Sequence, residues 1–432
     1  MNLIIYTLRT IAGAIVTPPL VFLLIALMVI LYSKNKKTAL MQKLIIGGSV
    51  DSAVELTLSQ FVLGIIAGCI GSIILTSLGV VFNKDSGIIY LFLISILLMF
   101  IKPKFICFSY SGAILGGISL LINLFNKYSP EGLGIGILNI DILYLMTFIG
   151  ILHIIEGMLV AIDGDRGAIP VFTNTGENIL GGYALKRYWV IPVAIIIGLT
   201  MNDAATNLPV ISIDLPKWWY SLKMPSTISL LETLVISIFP FYAVLGYSSV
   251  TFTKSKREKA LSSGMYILVY GILLTTIAQL SRFGVFGQVV VLIMAPLGHE
   301  IMLKLQRKKE EKTQPKYISN DNGLVILEVA SDSEFAKLGV HSGDRILTIN
   351  DKKISSENEI YPILKENLYN IILTVEDIHG TIRNINFKYK KNKRLGLLLV
   401  PKEVKKEELI PMKENNFQGI LNKFKDNDNT GN

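Results

Sequence analysis

Four ionisable residues stand inside apolar runs where charge is costly: His153 and Glu156 in LHIIEGM, and His299 and Glu300 in PLGHEIM. His153 and Glu156 are three apart, which puts them on one face of a helix. Ionisable groups within a membrane span are rare and mark functional positions or mutual partners. Two His–Glu pairs meeting inside a bundle could ligate a divalent metal, since imidazole and carboxylate suit zinc, iron or manganese. The alternative is a hydrogen-bonded network pinning two helices together, or a position at the membrane interface where charge costs little. Asp163 follows two turns after Glu156, at the end of the same run.

Membrane site-two proteases, which pair a membrane zinc site with PDZ domains, carry HExxH on one helix, giving two histidines one turn apart and a glutamate base. Neither run here has it: His153 is followed by Ile-Ile-Glu, and residue 303 is Leu. No Gly-x-Ser-x-Gly, Ser–Lys or Ser–His arrangement and no phosphate-cradling loop stands out. The chain therefore reads as a non-enzyme with no cofactor. A metal-dependent, protease-like intramembrane enzyme or a transporter using His153, Glu156, His299 and Glu300 is the alternative. Cys69 and Cys107 are the only cysteines and lie in or beside apolar runs. They read as packing residues, which leaves neither a disulfide framework nor a cysteine-based zinc site.

The elements that position these residues are membrane elements. Of the 432 residues 51% are hydrophobic and only 17% charged, with a mean hydropathy of +0.51, too apolar for an ordinary soluble protein. Apolar runs at 13–33, 56–82, 87–101, 105–125, 140–162, 188–202, 226–250, 262–280 and 284–303 read as helical spans. The third and sixth are short, so the expected fold class is an α-helical polytopic bundle of about eight or nine spans over residues 1–303. Helices are expected because backbone groups in hydrocarbon must satisfy one another. The N-terminal run ends in basic residues rather than a small-residue cleavage site and reads as the first span, with Pro18-Pro19 at its outer end.

Nine spans with the N-terminus outside leave 13 Lys and Arg in inner loops, Lys186 and Arg187 among them, against six outside. That orientation places everything after Lys304 in the cytoplasm and Trp218-Trp219-Tyr220 at the outer interface. The Gly pairs at 116–117 and 181–182 read as close helix approach or a turn.

Residues 304–318 are basic and polar and read as a linker, after which the pattern changes to short alternating strands with turn signals. Strands are expected at 323–329, 343–351, 370–376, 381–389 and 395–400, and helices at 333–339 and, broken near Pro362, at 357–367. The Gly-Leu-Val strand, the Ser-x-x-Ala-x-x-Gly-Val helix and Ser342-Gly343-Asp344-Arg345-Ile346-Leu347-x-Ile349-Asn350-Asp351 resemble a bacterial PDZ domain over residues 319–401. The resemblance implies a small α+β fold that adds an extended peptide to a sheet edge. Arg394-Leu395-Gly396-Leu397 resembles the family's carboxylate-binding loop in a permuted position, and Ile360 and Leu364 supply the facing helix. The other reading of that run is a final core strand with a glycine bulge. The tail, 402–432, is charged and Asn-rich and reads as disordered, with Phe417, Ile420, Leu421 and Phe424 on one face of a short candidate helix.

The spans, the H-x-x-E-G segment leading to Asp163-Gly164, then Pro170-Val171-Phe172, Gly181-Gly182-Tyr183-x-Leu185-x-Arg187-x-Trp189 and the PDZ-like end resemble the MinJ family of Gram-positive bacteria. The resemblance implies a membrane scaffold of cell division, enriched at septa and poles. Its implied partners are the lipid bilayer and peptide segments or C-termini of DivIVA-like and MinD-like proteins, and no nucleic acid.

Overall fold

The structure, a computed structural model, describes residues 2–48, 50–101, 103–128, 138–175, 178–199, 235–354, 356–366, 371–388 and 394–402. The Trp218-Trp219-Tyr220 cluster and the Phe417–Phe424 face lie outside the described residues, as do 200–202 and 226–234 of the expected spans. The chain divides into two units, one of residues 1–171, 182–316 and 330–333, the other of 172–181, 317–329 and 334–432. The sequence reading places a boundary near 303. The helix expected to end there runs on to Lys312, and residues 172–181 join the second unit.

Among the described residues the α-helices of the first unit are α1 (Asn2–Val16), α2 (Leu20–Ile46), α3 (Ala53–Ser77), α4 (Tyr90–Ile101), α5 (Phe108–Tyr128), α6 (Ile142–Asp163), α7 (Lys256–Ile277) and α8 (Gly284–Lys312). Among the described residues, four helical stretches are long and apolar enough to cross a membrane: Ala53–Ser77, Phe108–Lys127, Ile142–Asp163 and Lys256–Lys312. A fifth is obtained if α1 and α2, bent by 67° at the Pro18-Pro19 break, count together. The expected bundle of eight or nine spans is contradicted. The run at 13–33 is split by the proline pair, whose missing amide donors interrupt the helix. The run at 87–101 yields only the 12 residues of α4.

The runs at 188–202 and 226–250 are not helices. They belong to β3 (Ile179–Leu199) and β4 (Val235–Thr251), paired antiparallel from Tyr183 opposite Thr251 to Leu199 opposite Val235. Both are rich in Ile, Val and aromatic residues, which suit a pleated sheet. Each strand supplies the other's backbone partners, so the hydrogen-bonding demand that favoured helices is met by the pair. The short β1 (Val81–Asn83) adds in parallel at Ile196–Gly198.

Glycine sets the closest packing. A Cβ on Gly157, Gly264 or Gly271 would fall within 2.7 Å of backbone on the facing helix, so α6 and α7 touch backbone to backbone. Gly64 and Gly68 bring α3 equally close to β3, at the carbonyls of Val190 and Pro192. Large apolar side chains such as Phe22, Leu97, Phe100 and Phe286 point outward. A contiguous apolar exterior of this kind suits lipid rather than water.

Arg187, expected in an inner loop, is instead buried in β3, 1% exposed. Its guanidinium donates to Asp163 at the end of α6 through Nε at 3.0 Å and through Nη2, and Trp189 Nε1 donates to the same carboxylate oxygen at 2.9 Å. Burial pulls the Arg187 proton affinity down, and the Asp163 carboxylate opposes that pull. Asp163, Arg187 and Trp189 thus converge, although the sequence separates them by 24 and 26 residues.

The second unit contains β5 (Tyr317–Ile318), β6 (Leu324–Val329), α9 (Glu334–Lys337), β7 (Arg345–Ile349), β8 (Lys352–Lys353), α10 (Ile360–Glu366), β9 (Ile371–Glu376), β10 (Ile382–Phe387) and β11 (Leu397–Leu399). Its strand order is β10-β9-β7-β6-β11, with β8 on β7. β5 pairs antiparallel with Leu180 and Gly181 at the start of β3. Asn350 and Asp351 both have positive φ, the geometry that joins β7 and β8 by a two-residue hairpin turn. Pro362 does not break the helix. It falls in the first turn of α10, where its missing amide has no partner to lose. The Asp344 side chain, 3% exposed, accepts from the His341 amide and from Arg383, which ties the Ser342-Gly343-Asp344 turn to β10.

Candidate functional site

β11 is the last strand of its sheet, so one edge pairs with β6 and the other is open among the described residues. An unpaired edge is a template for another strand. Behind it, Ile360 and Leu364 of α10, Leu395 and Leu397 of the β11 segment, Phe335 of α9 and Phe387 of β10 close round a core slot of only about 10 Å³, with most of these side chains fully buried. Gly396, between the two leucines, has φ +72°, a left-handed backbone that an L side chain resists. Leu395 and Leu397 are half-buried and Arg394 is exposed. Of the six residues expected to bind peptide, Ile360, Leu364, Leu395 and Leu397 therefore line one slot, with Gly396 between two of them and Arg394 at the segment's start.

A second, polar cluster is built in the first unit, in the interior of the helices. His153 on α6 is 2% exposed. Its Nδ1 lies 2.8 Å from the carbonyl of Ile149 on the same helix, and its Nε2 lies 3.0 Å from the Cys107 Sγ. His299 on α8 is brought alongside, with ring centroids 6.0 Å apart. One ring nitrogen of each histidine and the Cys107 sulfur lie within 4.8 Å of one another, a grouping that could hold a metal ion. The chain reverses to make this possible. Tyr270 on α7 donates to the carbonyl of Ala295 on α8 at 2.7 Å. Twenty-five residues of straight helix would hold those groups about 37 Å apart. The reversal falls at the tight 3-10 turn Ala278–Phe283.

Of the four residues singled out in the sequence, His153 and His299 are brought side by side. Glu300 faces another way. It pairs with Lys104 at 2.5 Å and accepts from Tyr110 at 2.7 Å. Glu156 lies one turn beyond His153 and interacts electrostatically with His153, Cys107 and His299. The reading of Cys107 as packing, and of cysteine-based zinc ligation as unavailable, is corrected, because Cys107 sits between the two histidines. The signal that could have found it is the polar cadence Cys107-x-Ser109-Tyr110 at the mouth of an apolar run, in which all three named side chains reach the histidines.

A separate cavity of about 670 Å³ lies around the N-terminal end of α6, lined by residues including Asn83, Asn123, Asp141, Thr147 and Arg282. None of His153, Glu156, His299 or Glu300 lines it, so the four residues do not mark that space.

Comparison with protein-family models, with curated proteins and with solved structures gives no match to this chain.

Proposed function

We propose that the protein is a membrane-held adaptor that captures an extended peptide end of a partner along the free edge of β11. The carrying observation is the open edge of β11 among the described residues, next to the half-buried Leu395 and Leu397. Backbone bonds to the edge supply affinity without reading sequence, and the half-buried Leu395 and Leu397 beside it favour an apolar ligand residue. The left-handed turn at Gly396 suits a backbone loop that receives a terminal carboxylate. The long apolar helices suit an anchor in a lipid bilayer, crossed several times, with the peptide-binding unit in the cytoplasm. Anchoring raises the effective concentration of a weak peptide contact.

The resemblance to MinJ supports a role in placing the division site, with DivIVA-like and MinD-like proteins as partners and enrichment at septa and poles. Position in dividing Gram-positive cells tests this. A fluorescent fusion of the full chain is expected at septa and poles, and one lacking residues 319–401 is expected to spread evenly over the membrane. An even membrane signal from both would overturn the division-site reading.

A further inference from the structure

We infer that Cys107, His153 and His299 bind a zinc-class divalent ion inside the helical unit. This inference is independent of the peptide groove.

The proton inventory carries the argument. A carbonyl can only accept, so the 2.8 Å contact with the Ile149 oxygen fixes the proton of neutral His153 on Nδ1 and leaves a lone pair on Nε2. Tyr110 gives its one hydroxyl proton to Glu300, so at its 3.1 Å contact with His299 the phenol oxygen accepts and His299 Nδ1 donates. The other nitrogen of His299 then also carries a lone pair. The Cys107 sulfur lies 3.0 Å from His153 Nε2, and a ring nitrogen of His299 lies within 4.8 Å of both. Ser109 does not relieve them. Tyr270 spends its proton on the Ala295 carbonyl, so Ser109 must donate to Tyr270 at 2.7 Å.

Two imidazole lone pairs therefore converge on a thiol with one proton. A hydrogen-bonded network leaves one acceptor unpaired in a buried place, which costs free energy. A cation satisfies both nitrogens and the sulfur together.

The surroundings agree. Each histidine donates its outer N–H, one to a backbone carbonyl and one to a phenol held by a carboxylate, the kind of support that metal-ligating histidines have. Ligands at zinc bond lengths in a tetrahedron stand roughly 3.5 Å apart. The three here lie within 4.8 Å of one another, with 3.0 Å between Cys107 and His153, so small side-chain adjustments suffice. The chemistry balances. On binding, the Cys107 thiol releases its proton to solvent and ligates as thiolate, leaving one net positive charge at the ion. Glu156, half-buried three residues on from His153, is the acidic group on the same helix as that ligand.

Cobalt(II) is a visible probe for such a site. Full-length protein in detergent, loaded with cobalt(II) and freed of excess, is expected to hold one ion per chain with a thiolate-to-cobalt charge-transfer band and tetrahedral visible bands. Equimolar zinc is expected to bleach both. Cys107→Ser is expected to lose the charge-transfer band. Tyr110→Phe, which keeps all ligands, is expected to weaken binding by about 10- to 100-fold. A wild-type chain that binds no cobalt, or binds it without the thiolate band, would overturn the inference in favour of a metal-free thiolate–imidazolium pair. A Cys107→Ser variant with the wild-type spectrum would overturn it equally.

Discussion

The interiors of the two units solve opposite problems. In the helical unit, buried polar groups are drawn together, as in Asp163 with Arg187 and Trp189 and the histidines around Cys107. In the second unit the core is hydrocarbon, and among the described residues the sheet keeps open edges at β10 and β11. A surface built to accept a peptide keeps its backbone groups unspent. An interior surrounded by lipid cannot, because every unpaired polar group there costs several kcal/mol.

Breaking the buried pair gives the largest effect. Asp163→Ala leaves the Arg187 guanidinium buried and uncompensated, and is expected to lower stability by about 3–5 kcal/mol in thermal or denaturant unfolding of the detergent-solubilised protein. A loss below 1 kcal/mol would mean that water reaches Arg187. Next in size is Gly264→Leu, whose Cβ would stand 2.6 Å from the backbone of Ala161 and Gly157. Overpacking of this kind costs about 1–3 kcal/mol, and the expected readout is faster proteolysis between α6 and α7.

In the second unit the expected effects are on binding more than on stability. Gly396→Val must adopt a φ of +72°, at a cost of about 1–2 kcal/mol, and is expected to abolish partner recruitment while membrane insertion stays normal. Unchanged recruitment would contradict the groove assignment. The smallest effect belongs to Arg383→Ala. This ion pair with Asp344 is part-exposed on the arginine side, 36% against 3%, and such pairs contribute about 0–1 kcal/mol. Comparing it with Asp163→Ala measures how far burial alone separates two Arg–Asp pairs.

The same contrast explains what was legible in the sequence. In the second unit alternation and turn residues act locally, so the strands at 324–329, 371–376 and 382–387 and the helix after residue 357 were readable. In the first unit apolarity marked the runs without telling strand from helix. Val235–Thr251 satisfies its backbone by pairing with β3, a long-range event that no local window reports. The meeting of His153 and His299 was a reasoned possibility, whereas Cys107 lay 46 residues from its partner and looked like one more apolar packing residue. Glu300 was grouped with His299 by adjacency, yet neighbouring helix residues point about 100° apart, and its carboxylate went to Lys104 and Tyr110.

The most direct test of the adaptor account is peptide selection by the intact protein in detergent or nanodiscs. The ligands are displayed peptides with free carboxyl ends, offered again with those ends amidated, to the wild-type chain and to Gly396→Val. The account predicts that the wild-type chain enriches peptides ending in an apolar residue, that amidation abolishes the enrichment, and that Gly396→Val enriches none. Enrichment that survives both amidation and Gly396→Val would contradict it.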